Sequence, residues 1–289
     1  MSADKGANRW RGNMVDFVIG LECFGICLTM VALFLLLNGD GAKEQKLLIL
    51  ILCGSMVQNV GYLLELTAQT VEAAMTAVIV ENVGSVFVPL CYCWFIYIYC
   101  YIVPPKKLLR VLGAISFFAL PSVFFNWYGL FYKDVQWGAD ANGFYHISIT
   151  YGPLYIFFMF SRIIIPYTLC ICTLIRAIRE RLDQQVNRQY WTILGISTVP
   201  VIVLAAYVCK FVEVFDFTPV TVTISMALVV IVVWSRRNYD FRHLAAAKVL
   251  ESLGDGVIVL DDHERLVSYN SAAAHQSKNF GGYPHSAFP

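Results

Sequence analysis

Seven long runs of apolar residues alternate with short polar segments along the 289-residue chain. The first run, Met14–Leu37, is long enough to cross a hydrocarbon core of about 30 Å at about 1.5 Å per residue. It is too long for the core of a cleaved signal peptide, which spans roughly 7–15 residues. The pattern predicts an all-α membrane protein, with a seven-transmembrane-helix bundle over residues 14–235. The six further runs are Leu47–Leu66, Ala77–Tyr101, Leu108–Tyr128, Tyr151–Ile175, Trp191–Val212 and Thr218–Trp234.

Composition supports a membrane protein and excludes several other classes. Hydrophobic residues make up 58 % of the chain, charged residues make up 14 %, and the mean hydropathy is +0.63. Average soluble domains are about 45–50 % apolar, so we expect the lipid bilayer to be the main partner. A net charge of +1 gives no reason to expect nucleic acid binding. The nine cysteines lie in apolar runs without a Cys-x-x-Cys pair, so we predict neither a metal site nor a cofactor.

The lysines and arginines between the runs predict the orientation in the membrane. Twelve of them lie after the first, third, fifth and seventh runs, whereas the alternate loops have only Lys133 and, close to a span end, Lys210. Because cationic loops stay in the cytoplasm, we predict an extracytoplasmic N-terminal tail (residues 1–13) and a cytoplasmic C-terminus. Three cations in that tail argue mildly against this orientation. The twelve residues are Lys43, Lys46, Lys106, Lys107, Arg110, Arg176, Arg179, Arg181, Arg188, Arg236, Arg237 and Arg242.

One long loop on the outer side, Gly129–Thr150, carries a hairpin signal. Asn142-Gly143 is followed by alternating apolar residues, which is typical of two strands joined by a tight turn. The hairpin is either a lid over the outer face of the bundle or a structured connector.

A few polar residues lie within the apolar runs, where each is unfavourable unless it is paired or faces a cavity. Arg162 is near the middle of the fifth run, Glu81 and Asn82 lie in the third, and Glu22 lies in the first. We predict a small polar pocket, open to the outside and formed by these four residues, in which Arg162 faces an anionic ligand or an acidic partner. The alternative is an internal ion pair of Arg162 with Glu81 or with Glu22 that fixes helix packing.

Five prolines lie within or at the edge of the runs, at positions 89, 121, 166, 200 and 219. Proline removes a backbone donor and tends to kink a helix, which a bundle tolerates when neighbouring helices satisfy the freed carbonyl. We therefore expect kinks, which serve either as pivots or only as packing features.

The chain leaves the seventh run at Arg236 and Arg237 and enters a polar segment with helix-forming residues, predicted as a cytoplasmic exit helix over residues 236–253. Apolar spacing along it, interrupted by His243, predicts pairing of two copies as a short coiled coil; a lone amphipathic helix is the alternative. Glycines at 254 and 256 end the helix, and Gly256–Tyr269 predicts two strands around a polar turn. The residues at these spaced positions, which would form the seam of the coiled coil, are Tyr239, His243, Ala246, Leu250 and Leu253.

The stretch Thr218–Ala274 resembles the end of the seven-span N-terminal sensor region of bacterial histidine kinases and diguanylate cyclases, which runs into a PAS domain. Phe87-Val88-Pro89 and Tyr151-Gly152-Pro153 fit the same pattern. The resemblance implies a sensory input module in the bacterial inner membrane, a role for Arg236, Arg237, His243, Leu250 and Leu253 in signal transmission, and the start of a PAS domain over residues 254–274. A small ligand or a change in the membrane would be the stimulus.

The end of the sequence departs from that family pattern. A PAS domain needs roughly a hundred residues, and residues 275–289 continue no helix or strand pattern, so we expect a disordered tail and a sensor truncated before its output domain. His243 is followed by Leu-Ala-Ala rather than by a phosphoacceptor motif, and neither a GGDEF stretch nor a nucleotide-binding glycine loop is present. We therefore expect a non-enzymatic chain with no catalytic residues.

Other membrane functions remain as alternatives. A small transporter or channel would use broken helices or paired repeats near the middle of the membrane, which Pro89 and Pro200 allow. A light-driven retinal protein is excluded because the seventh run contains no lysine.

Overall fold

The computed structural model describes residues 2–38, 43–125, 129–139, 145–180, 184–209, 215–252, 255–260, 266–269 and 272–273. Most of the chain is helical, and each of the two small sheets is a two-stranded hairpin. The helices are α1 (Ser2–Leu37), α2 (Lys43–Leu66), α3 (Val71–Ser85), α4 (Val88–Tyr99), α5 (Lys106–Phe125), α6 (Pro153–Met159), α7 (Ile165–Glu180), α8 (Gln184–Val208) and α9 (Thr218–Ser252), with a π-helical segment at Phe160–Ile164; the strands are β1 (Tyr132–Ala139), β2 (Tyr145–Tyr151), β3 (Ile258–Leu260) and β4 (Leu266–Tyr269).

The seven predicted spans are confirmed. Seven helical segments of the described chain are long and apolar enough to cross a membrane, and large apolar side chains such as Phe24, Phe34 and Phe118 are exposed on their outer surfaces. Such exposure is expected where lipid rather than water surrounds the protein. The helix of the first span begins at Ser2, so the backbone of the predicted tail is helical from that residue.

Glycines bring α2 and α3 into close contact. A Cβ atom on Gly61 of α2 would lie 2.5 Å from the backbone nitrogen of Glu81, and one on Gly84 of α3 would collide with the backbone nitrogen of Gln58. A Cβ on Gly54 would lie 2.8 Å from the carbonyl oxygen of Gly84. Small residues at such crossings are typical of membrane helices, whose association depends on close van der Waals packing.

Two of the predicted kinks are breaks in regular helix. The third span consists of α3 and α4, which are separated at Val86 and Phe87, with Pro89 in the first turn of α4. In the fifth span, the N–H of Ile165 donates to the carbonyl oxygen of Phe160, which is the hydrogen bond of a π-helix. Pro166 follows at once; its ring would clash with the carbonyl of the residue four positions earlier in an α-helix. Pro121 and Pro200 lie inside α5 and α8.

The predicted loop hairpin is confirmed as the antiparallel pair β1–β2, in which Val135 faces Ile149 and Trp137 faces Ile147. Its predicted turn, at residues 140–144, lies outside the described residues. The base of the hairpin is held to α6, because the N–H of Leu154 donates to the carbonyl of Leu130 at 3.0 Å. A shared apolar cluster joins this hairpin to α3, α5 and α6. Whether the hairpin acts as a lid stays a prediction.

The chain divides into two compact units, Met1–Val232 and Val233–Pro289. The predicted exit helix is not a separate element, because α9 continues without interruption from Thr218 to Ser252. The two strands predicted within Gly256–Tyr269 are confirmed as β3 and β4, which pair antiparallel with Ile258 opposite Tyr269. Leu253, the turn at residues 261–265 and the predicted tail at residues 275–289 lie outside the part of the chain that the structure describes.

Candidate ligand site around Arg162

Arg162 lies in the π-helical segment of the fifth span and is 7 % exposed. Pro166 explains the local backbone, since it cannot donate to the carbonyl of Arg162 and its ring crowds that carbonyl in an α-helix. The π turn adds one residue to the helical circuit and so changes the direction of the side chains within it. The position of Arg162 in the bundle therefore depends on the proline four residues later.

A cavity of about 60 Å³ adjoins Arg162. It lies beside both breaks in regular helix, because Pro89 of the broken third span and Arg162 of the π-helical segment line it. Pro200, inside α8, lines it as well. Three further polar side chains, those of Gln58, Ser85 and Thr218, contribute to its wall; the rest of the wall is apolar apart from Tyr167. We call this space the Arg162 cavity.

Two buried polar atoms at this cavity have no hydrogen-bond partner, the Nε of Arg162 and the Oγ1 of Thr218. Leaving a buried donor unsatisfied is unfavourable by about 1–3 kcal/mol, and by more when the group is charged. The alternative of an internal ion pair is not observed: among the described side chains, Arg162 forms no salt bridge with Glu81 or with Glu22. The cavity therefore presents unpaired hydrogen-bonding groups to an unfilled space.

The two predicted site residues on α3 lie outside the cavity wall. Asn82 donates from Nδ2 to the carbonyl of Val78 at 2.9 Å, a bond within its own helix. Glu81 is half-buried, and its carboxylate is hydrogen-bonded by the Gln58 side chain. Gln58 therefore contacts Glu81 and also lines the Arg162 cavity.

Glu22, the fourth predicted residue, is fully buried on α1, and both of its carboxyl oxygens lack a partner. It interacts electrostatically with Asp216, which lies two residues before α9. Glu65 and Glu81 also interact with Asp216. We call these four carboxyl groups, which come from α1, α2, α3 and the segment before α9, the acidic region. They form no group of metal ligands within the described residues.

Asp216 connects the acidic region to α9. Its carboxylate accepts a hydrogen bond from the backbone N–H of Thr218 at 2.7 Å, and its own N–H donates to the Tyr62 hydroxyl at 2.8 Å. Burial raises the pKa of the Asp216 carboxyl above its ordinary value, and the bond from Thr218 opposes that shift. The acidic region therefore contacts the first turn of the helix that leaves the membrane.

Two tyrosines interact both with Arg162 and with the acidic region. Tyr132 of the β1–β2 hairpin and Tyr155 of α6 each interact electrostatically with Arg162 and with Glu81. Burial raises the pKa of the Tyr132 phenol, so its hydroxyl stays neutral at physiological pH. Both phenols are therefore within electrostatic range of Arg162 and of Glu81.

Polar contacts also hold α9 against α2. The Nδ2 of Asn59 donates to Thr223 Oγ1 at 3.3 Å, and that hydroxyl donates to the carbonyl of Ser55 at 3.4 Å. Gly25 of α1 makes room for this contact, because a Cβ there would lie 3.0 Å from Asn59 Nδ2. Thr218, in the first turn of α9, and Val222, next to Thr223, line the Arg162 cavity. The first turns of α9 therefore contact both the cavity and the core of the bundle.

Three of the cavity residues, Gln58, Ser85 and Thr218, were not among the predicted site residues. Gln58 and Ser85 are polar side chains within apolar runs and Thr218 begins one, which is the signal that could have identified them, but their convergence depends on tertiary packing. The predicted signal residues Arg236, Arg237, His243 and Leu250 lie on α9. Their side chains, and the whole of Leu253, lie outside the described part of the chain, so their role stays a prediction.

Comparison with known proteins identifies the family. No protein of curated function is significantly similar to the chain. The family described as the N-terminal 7TM region of histidine kinase matches residues 21–242, which include all seven spans apart from the first turns of α1 and extend into the part of α9 beyond the seventh span. This match covers well over half of the sequence and agrees with the seven apolar helices. The chain therefore belongs to the family of N-terminal seven-transmembrane regions of histidine kinases.

Proposed function

We propose that the chain is the membrane-embedded input module of a bacterial signal-transduction protein and that it responds to occupancy of the Arg162 cavity. The family supports a sensory role in the membrane. The observation that carries the proposal is that Thr218 and Val222, in the first turns of α9, share the cavity wall with Arg162. A ligand there would contact the same helix that continues to Ser252.

The mechanism follows from the continuity of α9. At about 1.5 Å per residue its 35 residues extend about 50 Å, well beyond the roughly 30 Å of a hydrocarbon core. A regular helix transmits a shift or rotation of its first turn because its backbone hydrogen bonds hold successive turns together. A ligand that binds Arg162 and Thr218 would stabilise one position of α9 over another, and only such differential binding moves a conformational equilibrium.

Several finer points of this proposal rest on the sequence. The distribution of lysine and arginine supports an extracytoplasmic N-terminus and a cytoplasmic C-terminus. The β3–β4 hairpin supports the start of a PAS domain after α9, and the apolar seam along residues 239–253 supports pairing of two copies. The matched family region is a sensor region, so we propose that the chain itself catalyses no reaction. A contribution of Glu22, Glu81 and Asn82 to ligand binding remains part of the proposal.

The test compares two arginine variants of the full chain in lipid nanodiscs. Arg162→Gln removes the charge at the cavity, and Arg176→Gln removes an exposed arginine that pairs with Glu180 at 2.7 Å. Backbone hydrogen exchange of residues 236–252 is measured for both by mass spectrometry. We expect Arg162→Gln to change the exchange rate in this segment by about threefold or more, because its opening equilibrium responds to packing of the first turns. Identical exchange in wild type and Arg162→Gln would contradict the proposal, and Arg176→Gln should match wild type.

A transporter or channel is the second candidate, and one observation favours it. The third span is broken at Val86 and Phe87 beside a cavity lined by two prolines, and broken helices beside such a cavity are typical of transport sites. This candidate predicts that proteoliposomes containing the chain take up a labelled small solute and that Arg162→Gln abolishes uptake. Uptake together with unchanged exchange of residues 236–252 would favour transport over sensing.

A further inference from the structure

The chemistry of the Arg162 cavity limits the ligands that it could hold. Arg162 and Thr218 are 7 % and 9 % exposed, and each presents a hydrogen-bonding atom without a partner. Ser85 supplies a second hydroxyl group to the same wall. A guanidinium is always charged and only donates hydrogen bonds. The unfilled space therefore adjoins the fixed positive charge of Arg162 and two neutral hydroxyl groups that can also donate hydrogen bonds.

Within the part of the chain that the structure describes, no carboxylate neutralises this charge in the cavity, since none of the twelve lining residues is acidic. The titratable groups that interact electrostatically with Arg162 are the phenols of Tyr155 and Tyr132. None of the four carboxyl groups of the acidic region lines the cavity. An anion is therefore the complement that the cavity lacks, because a buried charge is stable only when it is paired or hydrogen-bonded.

Size and shape narrow the class of anion further. In about 60 Å³ of space open to the centre of a water-sized sphere, where one water needs roughly 10–15 Å³, several water molecules or one small organic ion can be held. Val88, Val201, Leu204 and Val222 form much of the remaining wall, so the ion should carry a short apolar part rather than polar groups on every side.

We propose that the Arg162 cavity binds a short-chain monocarboxylate anion of about two to four carbon atoms, an inference that rests on the proposed function. The planar guanidinium matches the two oxygens of a carboxylate. The hydroxyl of Thr218 donates to the same group, and the alkyl part packs between α4, α8 and α9. Because Arg162 belongs to the fifth span and Thr218 to α9, the bound carboxylate joins the two spans.

Sodium propionate is the probe for the first experiment, and the full chain is used in nanodiscs of zwitterionic lipid at pH 7. The midpoint of thermal unfolding is followed as propionate is raised, with sodium chloride holding the ionic strength constant. Propionamide, which has nearly the same shape but no charge, is the matched control ligand. A ligand that binds the folded chain raises the midpoint by mass action. We expect a saturable rise with propionate and none with propionamide.

Variants assign the effect to the cavity. Arg162→Gln should weaken propionate binding by at least about tenfold, because it removes the charge-assisted hydrogen bonds. Arg176→Gln should leave binding unchanged. Thr218→Val, which keeps the shape of the side chain, should weaken binding about threefold or more by removing one donor, and it keeps the test decisive if Arg162→Gln does not fold. A response to propionate that persists in both cavity variants would overturn the inference. If chloride alone raised the midpoint of thermal unfolding saturably, and the cavity variants lost this rise, the site would be a halide site and the inference would also be overturned.

Failure of this inference and failure of the proposed function give different results. Propionate binding that leaves the hydrogen exchange of residues 236–252 unchanged would contradict the sensory mechanism but support the carboxylate site. Conversely, altered exchange in Arg162→Gln without propionate binding in the wild type would support the sensory mechanism and overturn the carboxylate class.

Discussion

The Arg162 cavity and the acidic region both place charged groups inside the bundle, but they differ in the space around those groups. The unpartnered atoms of Arg162 and Thr218 adjoin a cavity of about 60 Å³. Glu81, in contrast, lies on α3 where that helix meets α2 so closely that a Cβ on Gly61 would be 2.5 Å from its backbone nitrogen. None of the four carboxyl groups of the acidic region lines the cavity.

This difference shows that a polar residue within a span does not by itself indicate a ligand site. Space for a ligand arises where neighbouring helices cannot pack closely, and here the break before Pro89, the π-helical segment before Pro166 and Pro200 inside α8 all lie beside the cavity or shape its wall. At the α2–α3 contact, glycines have the opposite effect and remove the space. We therefore expect different effects from changes of packing at the α2–α3 contact and from changes of charge in the acidic region.

The largest effect on stability is expected from adding one methyl group at the close contact between α2 and α3. In Gly84→Ala the new Cβ would collide with the backbone of Gln58, which cannot move without shifting α2. Overpacking of this kind lowers stability by about 1–3 kcal/mol, and we expect a value near the upper end because the obstacle is backbone. The free energy of unfolding is measured in mixed micelles with increasing SDS.

Gly195→Ala is the matched control, because nothing lies within 4 Å of a Cβ at that exposed position of α8. It should leave stability unchanged or raise it by up to about 1 kcal/mol, since alanine favours a helix over glycine. Equal effects of the two substitutions would show that α2 and α3 are not in close contact and would remove the difference between the two polar regions.

A smaller effect of opposite sign is expected at Glu22, whose carboxyl oxygens are buried without partners. Glu22→Gln keeps the shape of the side chain and removes its ability to carry charge. We expect the free energy of unfolding at pH 8 to rise by about 1–2 kcal/mol, because burying an unpaired charge is unfavourable.

Glu72→Gln is the control for Glu22, since Glu72 is exposed in the first turn of α3 and should change stability by less than about 0.5 kcal/mol. A loss of stability in Glu22→Gln would mean that Glu22 has a stabilising partner in the folded protein. The acidic region would then be a bound-ligand site like the Arg162 cavity rather than its contrast.

Much of the fold was predictable because it depends on local pattern. Run length gave the seven spans, and alternation around Asn142-Gly143 and within Gly256–Tyr269 gave both hairpins. The continuity of α9 was not predicted, because Arg236 and Arg237 mark where lipid ends and not where helical hydrogen bonds end. The arginines that mark the membrane boundary therefore do not mark the end of the helix.

The site was predictable only in part, for a similar reason. Arg162 could be identified because a charge deep in an apolar run needs a special environment. Gln58, Ser85 and Thr218 could not be grouped with it, since they come from different spans and meet only after the bundle packs. Glu81 and Asn82 illustrate the converse: they too are polar residues within an apolar run, yet the contact with α2 and a bond within α3 hold them outside the cavity wall.

The smallest effect, and the one that most sharpens the comparison, is the pH dependence at Asp216, which lies outside the spans. Burial raises the pKa of its carboxyl above the ordinary 3.8, so the folded chain binds this proton more tightly than the unfolded chain. The stability that Asp216 contributes is therefore fully present below the ordinary pKa and is lost as pH rises through the folded pKa. Asp216→Asn does not titrate and can still accept the hydrogen bond from Thr218.

Thermal unfolding of wild type and Asp216→Asn between pH 4 and pH 9 measures this difference, and we expect wild type to lose stability relative to the variant as pH rises. Among the described residues, Glu22, Glu65 and Glu81 are the carboxyl groups that interact with Asp216, and each disfavours a second ionised carboxylate. The opposite slope, with wild type gaining stability at higher pH, would mean that the N-terminus of α9 stabilises an ionised Asp216. The acidic region would then be electrostatically compensated by the helix, and the Arg162 cavity alone would hold an unbalanced charge.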